Sequence, residues 1–380
     1  MPARDLWSRI QKQLRGRAEA EQLRILQTHL SELHDEWKGP YKDLRDRLRR
    51  QVSRLEGHDA VRSRGGQHDP FHIKRQGTAT VVFAGAPNAG KSALVQALTG
   101  AATVVADYPF STQHPLPGML NGDGGALQLV DTPPVVPGLA EGEGPGRPLL
   151  HLFSLADVLA IVVDATNDPV SDVQMVLDEL ATTGIEAVAG PVATILSPKG
   201  KGGLRLVGHP LDRGEEHVVR SLVDTAHLEH VEIAVRTTFD ADQLRQQLDG
   251  DILLPTVLIA TSPQKAGTDA GILALRSRWP HFPTITAAAG QPSSLVQLRP
   301  CLLASLGRMS VRLLDRAIPD TTGTTVLTPL ASDVVTVAAR AGLQGRLKGA
   351  RIWGTSVGRP GLSVSLTHIT AAGDQIFLQA

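Results

Sequence analysis

Apolar residues recur at helical spacing through the first 56 positions. Leu23, Leu26, Leu30, Leu33 and Trp37 alternate steps of three and four, which draws one apolar seam along a helix. Gly39-Pro40 interrupts the pattern. Leu44, Leu48, Val52 and Leu55 then resume it, so the spacing predicts a helical hairpin. From Gly57 to Gln76 the periodicity stops. That stretch is polar and rich in Gly, His and Arg, and residues 1–76 read as a helical N-terminal region followed by a linker. His58, His68 and His72 lie there without Cys or carboxylate at ligand spacing, so no metal site is expected from them.

At about residue 77 the period changes. Thr78 to Ala84, Ala126 to Asp131, Val158 to Asp164, Thr256 to Thr261 and Thr284 to Ala287 are short β-branched or continuously apolar runs. Helical patterns lie between them, at 93–98, 270–277 and 294–306. Strands alternating with helices predict an α/β domain with a parallel-rich sheet over 77–308. The alternation breaks at 184–250. There, 192–196 and 204–207 read as strands joined by a hairpin turn at Lys199-Gly200-Lys201-Gly202-Gly203. A helix (215–225), a strand (231–235) and a helix (241–248) follow, which suggests a small α+β insert. Residues 322–380 read separately: strands near 326–328, 352–356, 364–366 and 375–378 with one helix at 334–341 suggest a small β-grasp module.

One stretch carries chemistry. Gly85-Ala86-Pro87-Asn88-Ala89-Gly90-Lys91-Ser92 spells G-x-x-x-x-G-K-S between a predicted strand and a helix beginning at Ala93, the context a phosphate-binding P-loop needs. Glycines at 85 and 90 let the backbone wrap a phosphate, so that successive N–H groups, Pro87 excepted, face the anion. The helix adds its N-terminal N–H groups and dipole. Lys91 is placed to reach the β- and γ-phosphates, and the Ser92 hydroxyl to bind Mg²⁺. Thr112 and Asp131 follow at predicted strand ends, where a parallel sheet gathers its ligand-binding residues.

Composition narrows the partners. The chain has 380 residues, 38 basic and 38 acidic, so net charge selects none. The distribution is uneven: residues 1–75 hold 17 Lys/Arg against 11 Asp/Glu. Arg45, Arg47, Arg49, Arg50 and Arg54 surround the second helical stripe and are candidates for RNA phosphates, or a solvated face. One cysteine, Cys301, excludes an internal disulfide framework and fits a reducing cytoplasm. No apolar run approaches a membrane span, and the N-terminus has no signal-peptide core. A soluble cytoplasmic protein is expected, with neither membrane nor DNA as partner.

The motifs together resemble the Obg-like GTPases, and most closely the developmentally regulated GTP-binding (DRG) family. Ala106-Asp107-Tyr108-Pro109-Phe110-Ser111-Thr112 resembles the first switch, with Thr112 at the threonine that meets Mg²⁺ and the γ-phosphate. Leu127 to Pro133 resembles the second switch with its Asp131, and Gly142 to Arg147 its glycine-rich continuation. The 197–203 turn resembles the insert of DRG G domains, and Ile352 to Val357 a strand of the C-terminal TGS domain. The resemblance implies GTP/GDP as ligands, and ribosome or RNA association through the N-terminal helices, the insert and the TGS-like domain. It also puts Asn88 where related GTPases help hold K⁺, and Thr286 and Ala287 in the last base-contacting loop.

Three departures bear on activity. The second switch carries Pro134 where the family has a glycine whose N–H senses the γ-phosphate; proline has no N–H. Val135 stands where many GTPases place a catalytic glutamine and cannot orient water. The family's guanine-reading Asn-Lys-x-Asp is replaced by Ala260-Thr261-Ser262-Pro263. The expectation is a GTP-binding protein that is a slow or weak GTPase switch, with Lys91, Thr112 and Asp131 as its catalytic set. The alternatives are a non-hydrolysing pseudo-GTPase scaffold and an NTPase of relaxed base specificity.

Overall fold

The computed structural model describes residues 3–14, 17, 19–33, 41, 44–45, 48–49, 51–52, 71–100, 114–122, 124–143, 146–199, 201–208, 210–226, 228–261, 267–319, 322–343 and 347–379. Thr112 and the rest of the proposed first switch lie outside this set, as do Ser262 and Pro263.

Helices α1 (Ala3–Leu14) and α2 (Glu19–Glu32) pack together at the N-terminus. Leu26 and Leu33 of the first apolar stripe share one buried cluster with Ile10, Leu14 and with Leu44, Leu48 and Val52 of the second stripe. Trp37 and Leu55 are not among the described residues. Arg45 is buried, which removes it from the candidate RNA-facing arginines, whereas Arg49 is exposed.

The central sheet holds β1 (Ala79–Ala84), β2 (Leu116–Leu120), β3 (Leu127–Asp131), β4 (Val158–Asp164), β5 (Ile185–Val188), β9 (Ile252–Thr261) and β10 (Thr284–Thr286). Its order is β10-β9-β4-β1-β3-β2, with β5 also paired to β9. All pairings are parallel except β2 with β3. The run Ala79–Ala84 is buried at every position because both sheet faces are covered. Side chains alternate: Val81 and Phe83 pack with Leu94, Val95 and Leu302, while Val82 and Ala84 pack with Phe153, Val173 and Leu275. The first face is covered by α3 (Lys91–Thr99), α9 (Pro292–Leu295) and α10 (Leu298–Ser305), the second by α4 (Gly146–Ser154), α5 (Pro169–Thr182) and α8 (Thr268–Arg278). The stretch expected to be one helix at 294–306 is thus two short ones. Cys301 sits half-buried in α10, and burial raises its thiol pKa, which suits packing rather than nucleophilic chemistry.

The irregular stretch from 184 opens with β5, a strand of the main sheet. A separate three-stranded sheet follows: β6 (Thr194–Pro198), β7 (Leu204–Gly208) and β8 (Val231–Val235), backed by α6 (Arg213–Thr225) and α7 (Ala241–Leu248). The order β6-β8-β7 corrects the hairpin reading: β8 inserts between the two strands, antiparallel to β6 and parallel to β7. Apolar alternation in Val231, Ile233 and Val235, all buried, makes β8 the natural centre. Lys199 and Arg205 share one carboxylate, Glu232, at 3.8 and 3.5 Å.

The C-terminal sheet has the order β12-β11-β15-β13-β14, with helix α11 (Val334–Arg340) packed on it. Its members β12 (Gly323–Pro329) and β15 (Gln375–Gln379) cover the strands expected at 326–328 and 375–378, whereas β13 (Gly349–Trp353) and β14 (Leu362–Val364) start before the expected 352–356 and 364–366 and overlap them only at their ends. The inner strand β11 (Arg308–Leu314) has no counterpart among the expected strands: it begins upstream of residue 322, lies between β12 and β15, and pairs parallel with β15. The alternation Met309, Val311, Leu313 is present there, separated from α10 by Leu306-Gly307 alone.

Candidate functional site

The P-loop turns out of β1 at Gly85. There φ is +151°, and a Cβ would stand 2.2 Å from the Val162 carbonyl oxygen of β4, so only glycine passes. Asn88 (φ 61°) and Gly90 (φ 95°) carry the loop through the left-handed region into α3. Gly90 has no side chain to cap that helix, and the first turn holds no acidic residue. By contrast, α5, α6, α7 and α11 start on Asp168, Asp212, Asp240 and Asp333, each accepting a bond from its own helix backbone. The helix that follows the P-loop thus starts without a side-chain cap, as α8, α9 and α10 also do.

Lys91 begins α3 and is buried. Its Nζ donates to the carbonyls of Gly85 (3.0 Å) and Ala86 (2.9 Å). Burial lowers its pKa to about 8, against the opposing pull of Asp131 and Asp172. Asp131 ends β3 beside β1, in register with Phe83, and is fully buried. Asp172, in the first turn of α5, has a raised pKa because of burial and the neighbouring Asp168 and Asp164 carboxylates. The sheet thus brings Gly85, Pro87, Asn88, Ala89, Gly90, Lys91, Ser92 and Ala93 to the same end as Asp131. Asp172 was not singled out in the sequence, because it lies far along the chain and carries no motif.

The segment after Asp131 is held tightly. Thr132 Oγ1 donates to the Phe83 carbonyl at 2.7 Å. Pro133 and Pro134 are buried and offer no N–H. The Val135 N–H donates to the Gly85 carbonyl at 3.1 Å, and the Val135 side chain lies in the core with Leu139, Leu149 and Phe153. That position contributes nothing that could align a water molecule.

On the base side, Thr261 ends β9. Its hydroxyl lies 3.0 Å from the Ala89 carbonyl and 3.0 Å from the Val163 carbonyl, so it ties the P-loop to β4. Thr286 ends β10. The Ala287 N–H donates to the Ala260 carbonyl at 3.0 Å, and the Ala288 N–H to Ser294 Oγ at 2.9 Å. The two amides of this loop are therefore spent inside the protein.

Ser92 and Asp131 supply hydroxyl and carboxylate oxygens, hard donors of the kind Mg²⁺ takes. Among the described residues no group of three or more His, Cys, Asp or Glu is arranged to hold an ion alone. That fits a metal completed by phosphate oxygens and water rather than a dedicated protein cage.

A family model described as a 50S ribosome-binding GTPase matches residues 80–195. The chain is 27% identical over 323 residues to Ribosome-interacting GTPase 1 of Saccharomyces cerevisiae, covering 83% of this chain and 85% of the relative. It is 28% identical over 233 residues to a Dictyostelium discoideum developmentally regulated GTP-binding protein 2 homologue, 61% and 62% of the two chains. Over most of its length the chain is similar to GTP-binding proteins of the developmentally regulated type. An uncharacterized GTP-binding protein of Schizosaccharomyces pombe is 26% identical over 80% of this chain and 84% of its own. Among solved structures, an S. thermophilus NFeoB mutant bound to GMPPNP matches 60% of this chain and 62% of its own, at 14% identity and a TM-score of 0.35. No helix among the described residues is long and apolar enough to cross a membrane.

Proposed function

We propose that this chain binds GTP and GDP through residues 85–93 with Mg²⁺ on Ser92, Asp131 and Thr112, hydrolyses GTP slowly, and acts in the cytoplasm on the ribosome or its RNA. The observation that carries the reading is Lys91. A buried ammonium held by two carbonyls has lost much of its hydration, and the β- and γ-phosphates would add counter-charge to that of Asp131 and Asp172. Attachment to ribosome or RNA is inferred from the relative whose name says that it interacts with the ribosome, with the N-terminal helices, the insert and a TGS-like β-grasp module at the C-terminus as contacts. Asn88, in its left-handed conformation, is the residue through which K⁺ would assist; equal turnover in Na⁺ and K⁺ removes that part.

Calorimetric titration with GTP, GDP and ATP in Mg²⁺ and K⁺ tests the reading. GTP and GDP binding that disappears in Lys91→Ala is expected. No binding of any nucleotide rejects it.

A second reading, a nucleotide-holding scaffold without turnover, is favoured by Pro134 and by the buried Val135. It differs in one measurable respect: no phosphate release under any ionic condition, with GTP and GDP bound alike.

A further inference from the structure

We infer that residues 132–143 form a fixed strut, clasped by Glu179, which does not change conformation with the nucleotide. Switch segments in nucleotide-dependent proteins are ordered by γ-phosphate contacts and released on hydrolysis, which requires backbone groups free to leave one set of partners for another. Here seven of the nine backbone N–H groups over 132–143 are occupied. Positions 133, 134 and 137 are proline and have no N–H. The Val135 amide is bound to the Gly85 carbonyl. Leu139 donates to Val136, Glu141 and Glu143 to Gly138, and Gly142 to Leu139.

Two of these seven amides define the clasp. The Gly138 N–H donates to Glu179 Oε1 at 2.7 Å and the Ala140 N–H to Oε2 at 2.9 Å. Both oxygens of one carboxylate therefore grip one loop, 41 and 39 residues away in the chain. Bonds to an ionised acceptor are the stronger kind, and a two-point grip fixes orientation as well as distance. Glu179 stands on α5, whose Val173, Val176 and Leu180 are anchored in the core beside β4. Below the loop, Val135 and Leu139 are fully buried, so lifting the strut would expose apolar surface as well as break the clasp. The strut is fastened at one end to the P-loop carbonyl and at the other to α5.

This inference rests on the reading that the P-loop takes nucleotide, and the test separates the two. Hydrogen exchange would be followed in the full chain, free and with saturating GDP or a non-hydrolysable GTP analogue. Protection gained over 85–93 reports occupancy. Exchange over 135–143 is expected to agree within twofold in all three states, and a tenfold difference between the GDP and GTP-analogue states overturns the inference. In nucleotide-free Glu179→Ala, exchange at Gly138 and Ala140 should rise at least tenfold while β4 stays protected. Glu179→Gln, which keeps one acceptor oxygen, should give a smaller rise, and it serves if the alanine variant fails to fold. If no nucleotide protects 85–93, the binding proposal fails, and the clasp is decided by the variants alone: unchanged exchange at both amides rejects it.

Discussion

The two halves of the candidate site differ in what their backbone is left to do. On the phosphate side, Gly90 begins α3 without a side-chain cap or a first-turn acid, and Lys91 is buried with its charge only partly satisfied. On the base side, Ala287 and Ala288 have their amides bonded to Ala260 and Ser294, and Thr261 is turned onto carbonyls of the P-loop and β4. On the phosphate side the helix start is left uncapped; on the base side the described amides and the Thr261 hydroxyl are bonded within the protein. The comparison teaches that loss of a recognition motif need not leave a hole. Buried polar groups cost free energy unless they are bonded, and the Ala287 and Ala288 amides are bonded internally. Thr261 serves the P-loop from the base side, which makes the base half a support for the phosphate half.

The sharpest way to break this comparison is Lys91→Ala. Hydrogen bonds to charged groups are worth about 1.5–3 kcal/mol each. Losing the ammonium should therefore weaken GTP and GDP binding on the order of a hundredfold or more, read by calorimetry, while the thermal midpoint changes little or rises. A retained affinity would mean that the loop does not use its lysine.

Gly85→Ala comes next. Its Cβ would meet the Val162 carbonyl at 2.2 Å, a backbone contact that cannot swing aside. Overpacking of this kind costs about 1–3 kcal/mol, so denaturant unfolding should shift by that amount, and binding should fall with it.

The third test is pH. Phosphate favours charged Lys91, whose pKa without ligand is about 8. Below that value the lysine is already protonated and affinity should be flat. Above it, binding must take up a proton, so affinity should fall as pH rises through 8, by up to tenfold per unit. Titrations in buffers of different ionisation heat should show proton uptake near pH 9 and little near pH 7. Flat affinity from pH 7 to 9.5 would place Lys91 away from the phosphate.

The smallest effects should come from the base half. Thr261→Ala removes one hydroxyl shared between two carbonyls and should cost about 1 kcal/mol of stability, with equal changes for GTP and ATP. Thr286→Ala should alter nucleotide affinity less than twofold. A variant there that selectively weakened GTP would show that the loop still reads the base.

Much of this was legible in the chain. The P-loop needed only its glycine spacing, its lysine and the strand and helix on either side. The α/β alternation, with β1, β3, β4 and β10 close to their final bounds and the second part of β9, follows from apolar runs too continuous for surface strands; β2, β5 and the start of β9 were not read. The insert's strands were visible but their neighbours were not. A glycine-rich turn between two strands suggests a hairpin, and nothing local tells that β8 will enter between them. Strand β11 is hard to read because the apolar run continues from α10 into it, and Gly307, in the left-handed region, is the single residue that marks the turn between them. Glu179 was invisible for a different reason: its partners are backbone amides, which have no identity in a sequence.

The sequence by itself determined the chemistry of the phosphate loop, the absence of an N–H at Pro133 and Pro134, and the loss of the Asn-Lys-x-Asp set. These are properties of residue types and short spacings, set by φ freedom and side-chain atoms. Only the tertiary structure decided that Lys91 is buried enough to bring its pKa to about 8, that Thr261 braces the P-loop, and that Glu179 grips the segment beyond Asp131. Burial, desolvation and the pairing of distant polar groups depend on which surfaces meet, and that is settled by packing across the sheet.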